Sequence, residues 1–77
     1  MLVKVKLMSM FARYLKNHQD GRIELEEGAT VRGLAENLGL PVKLVRIITV
    51  NGRQEGLDKV LTDGDLVYIF PPAIGGG

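Results

Sequence analysis

The 77-residue sequence predicts a small α+β domain, a sheet packed on one main helix. Three observations carry that expectation. Apolar residues alternate with polar ones at Val3, Val5 and Leu7, and again at Ile23 and Leu25, as half-buried strands require. Val31, Leu34, Ala35 and Leu38 recur at i, i+3, i+4 and i+7, the stripe of a helix that buries one side. The most β-prone run, Ile47-Ile48-Thr49-Val50, is followed by Asn51-Gly52, the strongest short hairpin signal.

Each element can be justified in turn. Residues 2–8 read as a strand with one wet face carrying Lys4 and Lys6. Ser9 is a candidate N-cap for a helix over residues 10–17, with Phe11, Tyr14 and Leu15 on one side and Arg13 and Lys16 facing out. His18 falls at that helix's end, where an imidazole complements the dipole. Ile23 and Leu25 make a short second strand. Thr30 is placed to cap the main helix, Gly39 to stop it, and Pro41 follows. Gly33 inside this helix costs about 1 kcal/mol relative to Ala, which suggests a close neighbour needing the space.

After the Asn51-Gly52 turn the chain returns briefly over 53–55. Residues 57–61 read as a 3₁₀ turn or a loop tucked against the core. Asp63-Gly64-Asp65 reads as a plain turn, because no further oxygen ligands stand at calcium-loop spacing. Leu66-Val67-Tyr68-Ile69-Phe70 is the last strand, and Pro71-Pro72 must end it, since neither proline can donate a ladder hydrogen bond. Val5, Leu34, Leu38, Val67 and Ile69 are the expected core. Leu66, Tyr68 and Phe70 fall on the strand's outer face. An apolar row there fits a partner surface, with Phe70 alternatively the strand's last core residue.

Composition narrows the function. One domain is all that this length allows, read as 1–72 with a tail over 73–77. Ten basic and nine acidic residues leave a net charge of +1, too weak to argue for nucleic acid or an anionic membrane surface. No apolar run is long enough to span a bilayer and the start is not a signal peptide, so the expectation is a cytoplasmic protein. With no cysteine and one histidine, thiolate zinc sites, iron–sulfur clusters and cysteine nucleophiles are excluded. Gly75-Gly76-Gly77 makes a tail free to move and narrow enough to thread a slot that any side chain would block. Extended, 73–77 reaches roughly 17 Å beyond the prolines.

Leu61-Thr62-Asp63-Gly64-Asp65-Leu66-Val67-Tyr68-Ile69-Phe70-Pro71-Pro72 with terminal glycines, the opening strand running into Phe11-Ala12-Arg13, and the Val50-Asn51-Gly52 hairpin together resemble one family. It is the β-grasp, ubiquitin-like sulfur carriers of the molybdopterin-synthase small-subunit and thiamine-biosynthesis type (the MoaD/ThiS family). Phe-Pro-Pro ahead of the glycines looks like the molybdopterin branch, whereas Ile74-Gly75-Gly76-Gly77 resembles some thiamine-type endings. The functional pair is Gly75-Gly76 counted from Phe70, or Gly76-Gly77 counted from the end.

The resemblance implies a carrier rather than an enzyme. An E1-like adenylyltransferase would use MgATP to adenylate the carboxylate of Gly77, and a sulfur donor would convert it to a thiocarboxylate. No cofactor would be bound by the chain itself. Phe70, Pro71, Pro72 and Tyr68 would contact partners, namely the activating enzyme and a molybdopterin synthase large subunit, or a thiazole synthase in the thiamine branch. A ubiquitin-like modifier forming isopeptide bonds remains the third alternative.

Overall fold

In the computed structural model the described residues are 1–15 and 20–72, the side chain of Ser9 excepted. The expectations for Lys16, His18, the Ser9 cap and the glycine tail lie outside them. Five strands form one mixed sheet: β1 (Leu2–Leu7), β2 (Arg22–Glu24), β3 (Ile47–Val50), β4 (Arg53–Glu55) and β5 (Leu66–Phe70). Their order is β2-β1-β5-β3-β4. β1 and β5 run parallel, with Val5 opposite Val67 and Leu7 opposite Ile69. β2 pairs antiparallel with β1, and β3 pairs antiparallel with both β5 and β4. This is the ubiquitin-like β-grasp arrangement, one sheet on one main helix.

That helix, α1 (Val31–Leu38), begins and ends where the sequence places it. The Gly33 N–H donates to Thr30 Oγ1 at 3.2 Å, and Gly39 closes the helix in the left-handed region at φ 76°. Val31, Leu34, Ala35 and Leu38 are all buried, against an inner sheet face of Val3, Val5, Leu7, Ile48, Val50, Val67 and Ile69. Burial of apolar area at roughly 25 cal/mol per Å² makes this layer contact the main source of stability. At the β3–β4 hairpin, Asn51 takes φ 54° and Gly52 φ 85°, the two left-handed conformations of a type I′ turn.

Three expectations change. The segment after β1 is a 3₁₀ helix over Ser9–Leu15, where the sequence predicts an α-helix over 10–17. Seven residues are too few for a self-supporting α-helix, and one fixed anchor decides the geometry. Phe11 is fully buried, its N–H donating to the Met8 carbonyl at 3.1 Å, and the three-residue repeat puts Tyr14 on the same side, edge-to-face at 6.3 Å. Second, Gly33 has no crowding neighbour: a Cβ there would meet only Thr30 Oγ1, at an ordinary 3.7 Å. The glycine that does need its missing side chain is Gly21, where a Cβ would lie 2.6 Å from the Val5 carbonyl oxygen. Third, Leu25 is buried but lies just beyond the end of β2, its N–H donating to the Met1 carbonyl.

Residues 57–61 form a loop, as one of the two expected forms. It is pinned by a Thr30–Val60 bridge and by fully buried Leu61. Among the described residues no helix is long and apolar enough to cross a membrane.

Leu34 sits at the centre of the helix–sheet contact with no exposed surface. Leu34→Ala should therefore lower the unfolding free energy by about 2–5 kcal/mol. A urea midpoint unchanged by the substitution would show that α1 does not form the core.

Candidate functional site

The site expected from sequence is the root of the tail, and β5 builds it. Val67 and Ile69 point into the core and are fully buried, so Leu66, Tyr68 and Phe70 are forced onto the opposite face, where each is half-buried. The Tyr68 and Phe70 rings stack at 6.4 Å with 20° between planes. The register surrounds them: Lys6 and Thr49 flank Tyr68, Lys4 flanks Leu66, and Ile47 lies beside Phe70. Ile47 is 47% exposed and extends the apolar surface. Phe70 is therefore an outer-face residue and not a core one. Pro71 and Pro72 follow, half-buried and outside any strand. Gly75, Gly76 and Gly77 lie outside the described residues.

The opposite end of β5 is locked by a residue that the sequence reading passed over as part of a plain turn. Asp65 is only 6% exposed. Its Oδ2 accepts from the Thr62 N–H at 2.8 Å, and its Oδ1 accepts from Thr62 Oγ1 at 3.1 Å and Asn51 Nδ2 at 2.8 Å. Asn51 Oδ1 in turn accepts from the Leu66 N–H at 2.9 Å. One carboxylate thus joins the turn before β5 to the β3–β4 hairpin. Asp63 Oδ1 accepts from the Leu2 N–H at 2.7 Å and ties the same turn to β1. Both aspartates hold protein donors, as a turn requires and a cation site would not. The available signal was an aspartate three residues after a threonine, immediately before a strand.

Burial, the largest influence on the Asp65 carboxyl, would raise its pKa. The donors from the Thr62 backbone, Asn51 and the Thr62 hydroxyl, with the charge of Lys59, outweigh it and hold the group below its usual 3.8.

The Mut7-C ubiquitin family model matches residues 1–74. The chain belongs to the Mut7-C ubiquitin family. A Pyrococcus furiosus protein provisionally assigned as molybdopterin converting factor subunit 1 is 38% identical, over 95% of this chain and 99% of that one, with a TM-score of 0.70. The molybdopterin-type resemblance read from the sequence is thereby shown. Two more distant structures share the fold. Haloferax volcanii small archaeal modifier protein 1 is 19% identical over 94% of this chain and 98% of its own, with a TM-score of 0.67. Helicobacter pylori molybdopterin-converting factor, solved as a complex of subunits 1 and 2, is 20% identical over 99% and 100%, with a TM-score of 0.55. No curated protein matches the chain. This member of the family is a small ubiquitin-like domain related to molybdopterin converting factor subunit 1.

The Asp65 network gives a pH-dependent prediction. A carboxyl whose folded pKa is depressed contributes stability that is complete above its unfolded value, about 3.9, and is lost as pH falls through the lower folded one. Asp65→Asn should cost about 1–3 kcal/mol at neutral pH by unpairing the donors. The gap to wild type in urea unfolding should then narrow as pH falls below that range. A gap constant from about pH 7 to about pH 2 would show that the donors do not favour the charged form.

Proposed function

We propose that this chain is a sulfur carrier of molybdopterin synthesis that works through its tail. The carboxylate of Gly77 attacks the α-phosphate of MgATP on an E1-like enzyme, pyrophosphate leaves, and a sulfide-level donor displaces AMP to leave a thiocarboxylate. That sulfur is then delivered to a precursor held by a larger synthase subunit. The observation that carries the reading is the central place of β5. The strand that leads into Phe70-Pro71-Pro72 is the middle one of five and is hydrogen-bonded on both edges, so the tail follows the central strand of the sheet. The 38% identity to a molybdopterin-type protein across nearly the whole chain favours that pathway over the thiamine one.

Each residue has a part in this reading. Gly75 and Gly76 present no side chain to a narrow channel. Pro71 and Pro72 stiffen the base of the tail and limit the entropy lost on insertion. The stacked Tyr68 and Phe70 meet the partner at the channel mouth. The chain supplies reach and a carboxylate, and the enzyme supplies the acid–base and phosphoryl chemistry. The complex of subunits 1 and 2 solved for the Helicobacter pylori protein supports a second subunit as a partner here as well.

Incubated with a cognate activating enzyme, MgATP and a sulfur donor, the 77-residue chain should gain the oxygen-to-sulfur mass increment at Gly77. Gly76→Val should impair the reaction by obstructing passage, and a residue appended after Gly77 should abolish it. Deletion of Gly77 decides which pair is functional: a much better acceptor would make Gly75-Gly76 the working end. Lysine adducts in place of transfer to a precursor would assign the chain to protein modification, and a chain inert in every form would defeat the carrier reading.

Phe70→Ala should weaken partner binding by about 1–3 kcal/mol, the range for an aromatic hot spot, while thermal stability stays nearly unchanged. A variant that melts far below wild type yet binds normally once folded would show that Phe70 serves the fold and not a partner.

A further inference from the structure

The net charge of +1 conceals a separation of charge along β5. The end from which the tail departs is built around residues 6–15, 40–49 and 67–72, which contain no acid; the exposed Asp20 lies beside them, lining a surface cavity with Lys6 and Met8. β1, parallel to β5, delivers the 3₁₀ helix Ser9–Leu15 to this end, where the Met8 N–H donates to the Ile69 carbonyl at 3.2 Å. β3, antiparallel to β5, starts here, and the Arg46 N–H donates to the Phe70 carbonyl at 3.1 Å. Four exposed cations therefore stand around the tail root: Lys6, Arg13, Lys43 and Arg46. The two ion pairs among the described residues, Arg32–Asp58 and Lys59–Glu55, involve none of them. The other end of β5 is mixed in sign: it carries Asp63 and Asp65, with Glu24 opposite Leu2 and Glu26-Glu27 just beyond, and Arg53 and Lys59 beside Asp65.

Exposed apolar side chains share the basic end. Met10 is 40% exposed, Leu44 37% and Ile47 47%, and Ile47 stands opposite Phe70, whose ring stacks on Tyr68. An apolar centre ringed by charge has the anatomy of a protein–protein interface. A nucleic-acid backbone would match the cations but leave Met10, Leu44 and Ile47 uncovered, so the apolar centre selects protein.

We infer that this end is a docking collar for an acidic protein surface: the mouth of the channel that receives the tail is rimmed by Asp and Glu. The partner's identity rests on the carrier reading, whereas its charge follows from the collar. Complementary charge there steers the encounter and sets the orientation in which the tail meets the channel, so it acts on association and not on the chemistry.

The test measures binding of the full chain to a cognate E1-like adenylyltransferase at about 50 mM and about 500 mM salt, where surface charges are weakly and strongly screened. Lys43→Glu combined with Arg46→Glu should weaken binding at least about tenfold at low salt, and the loss should shrink at high salt. Arg46→Gln, a milder change, should give a smaller loss of the same sign. Glu26→Lys combined with Glu27→Lys reverses charge at the far end and should leave binding unchanged or tighter.

Equal affinity for wild type and the Lys43/Arg46 variants overturns the collar while thiocarboxylate formation, read by mass, can still succeed. Absence of the mass increment with the charge effect intact overturns the carrier reading alone. No binding by wild type at low salt overturns the collar. So does binding of a single-stranded RNA that the same Lys43 and Arg46 substitutions abolish while enzyme binding persists, since the face would then serve nucleic acid.

Discussion

The parallel pairing of β1 with β5 is the constraint on which the rest of this structure depends. It joins the first strand to the last, across almost the whole sequence, and puts both at the centre of the sheet. Each then has a second neighbour, β2 or β3, and their inward residues Val3, Val5, Leu7, Val67 and Ile69 form the floor on which α1 rests. Contacts so distant in sequence must overcome loop-closure entropy before they stabilise anything. The β1–β5 register is therefore set by the inward alternation of both strands at once, because a one-residue slip would turn either apolar row toward solvent.

The same pairing polarises the molecule. At the start of β5, Asp63 and Asp65 secure the turn to β1 and to the β3–β4 hairpin through hydrogen bonds from Leu2, Thr62 and Asn51. At its end, two prolines release the chain. One end of the strand is thus held by a buried carboxylate network, and the other is shaped for departure. A strand fixed in that way holds Pro71 and Pro72 at a defined place on the sheet.

Electrostatics and packing converge on that place. The two elements flanking the end of β5, the 3₁₀ helix after β1 and the segment entering β3, bring cations and partly exposed apolar side chains but no carboxylate. Tyr68 and Phe70 occupy the outer face only because Val67 and Ile69 occupy the inner one. Core packing thereby determines which aromatic residues face outward.

Periodicity and local residue preference determined most of the elements: the alternation of β1 and β5, the stripe and both caps of α1, the Asn51-Gly52 turn, and the outward position of Tyr68 and Phe70. These are local properties, written in spacings of two or about 3.6 residues and in backbone preferences that hold wherever the segment lies. The tertiary structure decided what depends on distant neighbours. Phe11, seated in the core, tightened an expected α-helix into a 3₁₀ helix. Asp65 became a buried clamp only because Asn51, fourteen residues earlier, folds back to donate to it. The separation of charge is likewise invisible in a net charge of +1, since it arises when strand pairing gathers acid-free segments from three parts of the chain at one end of β5.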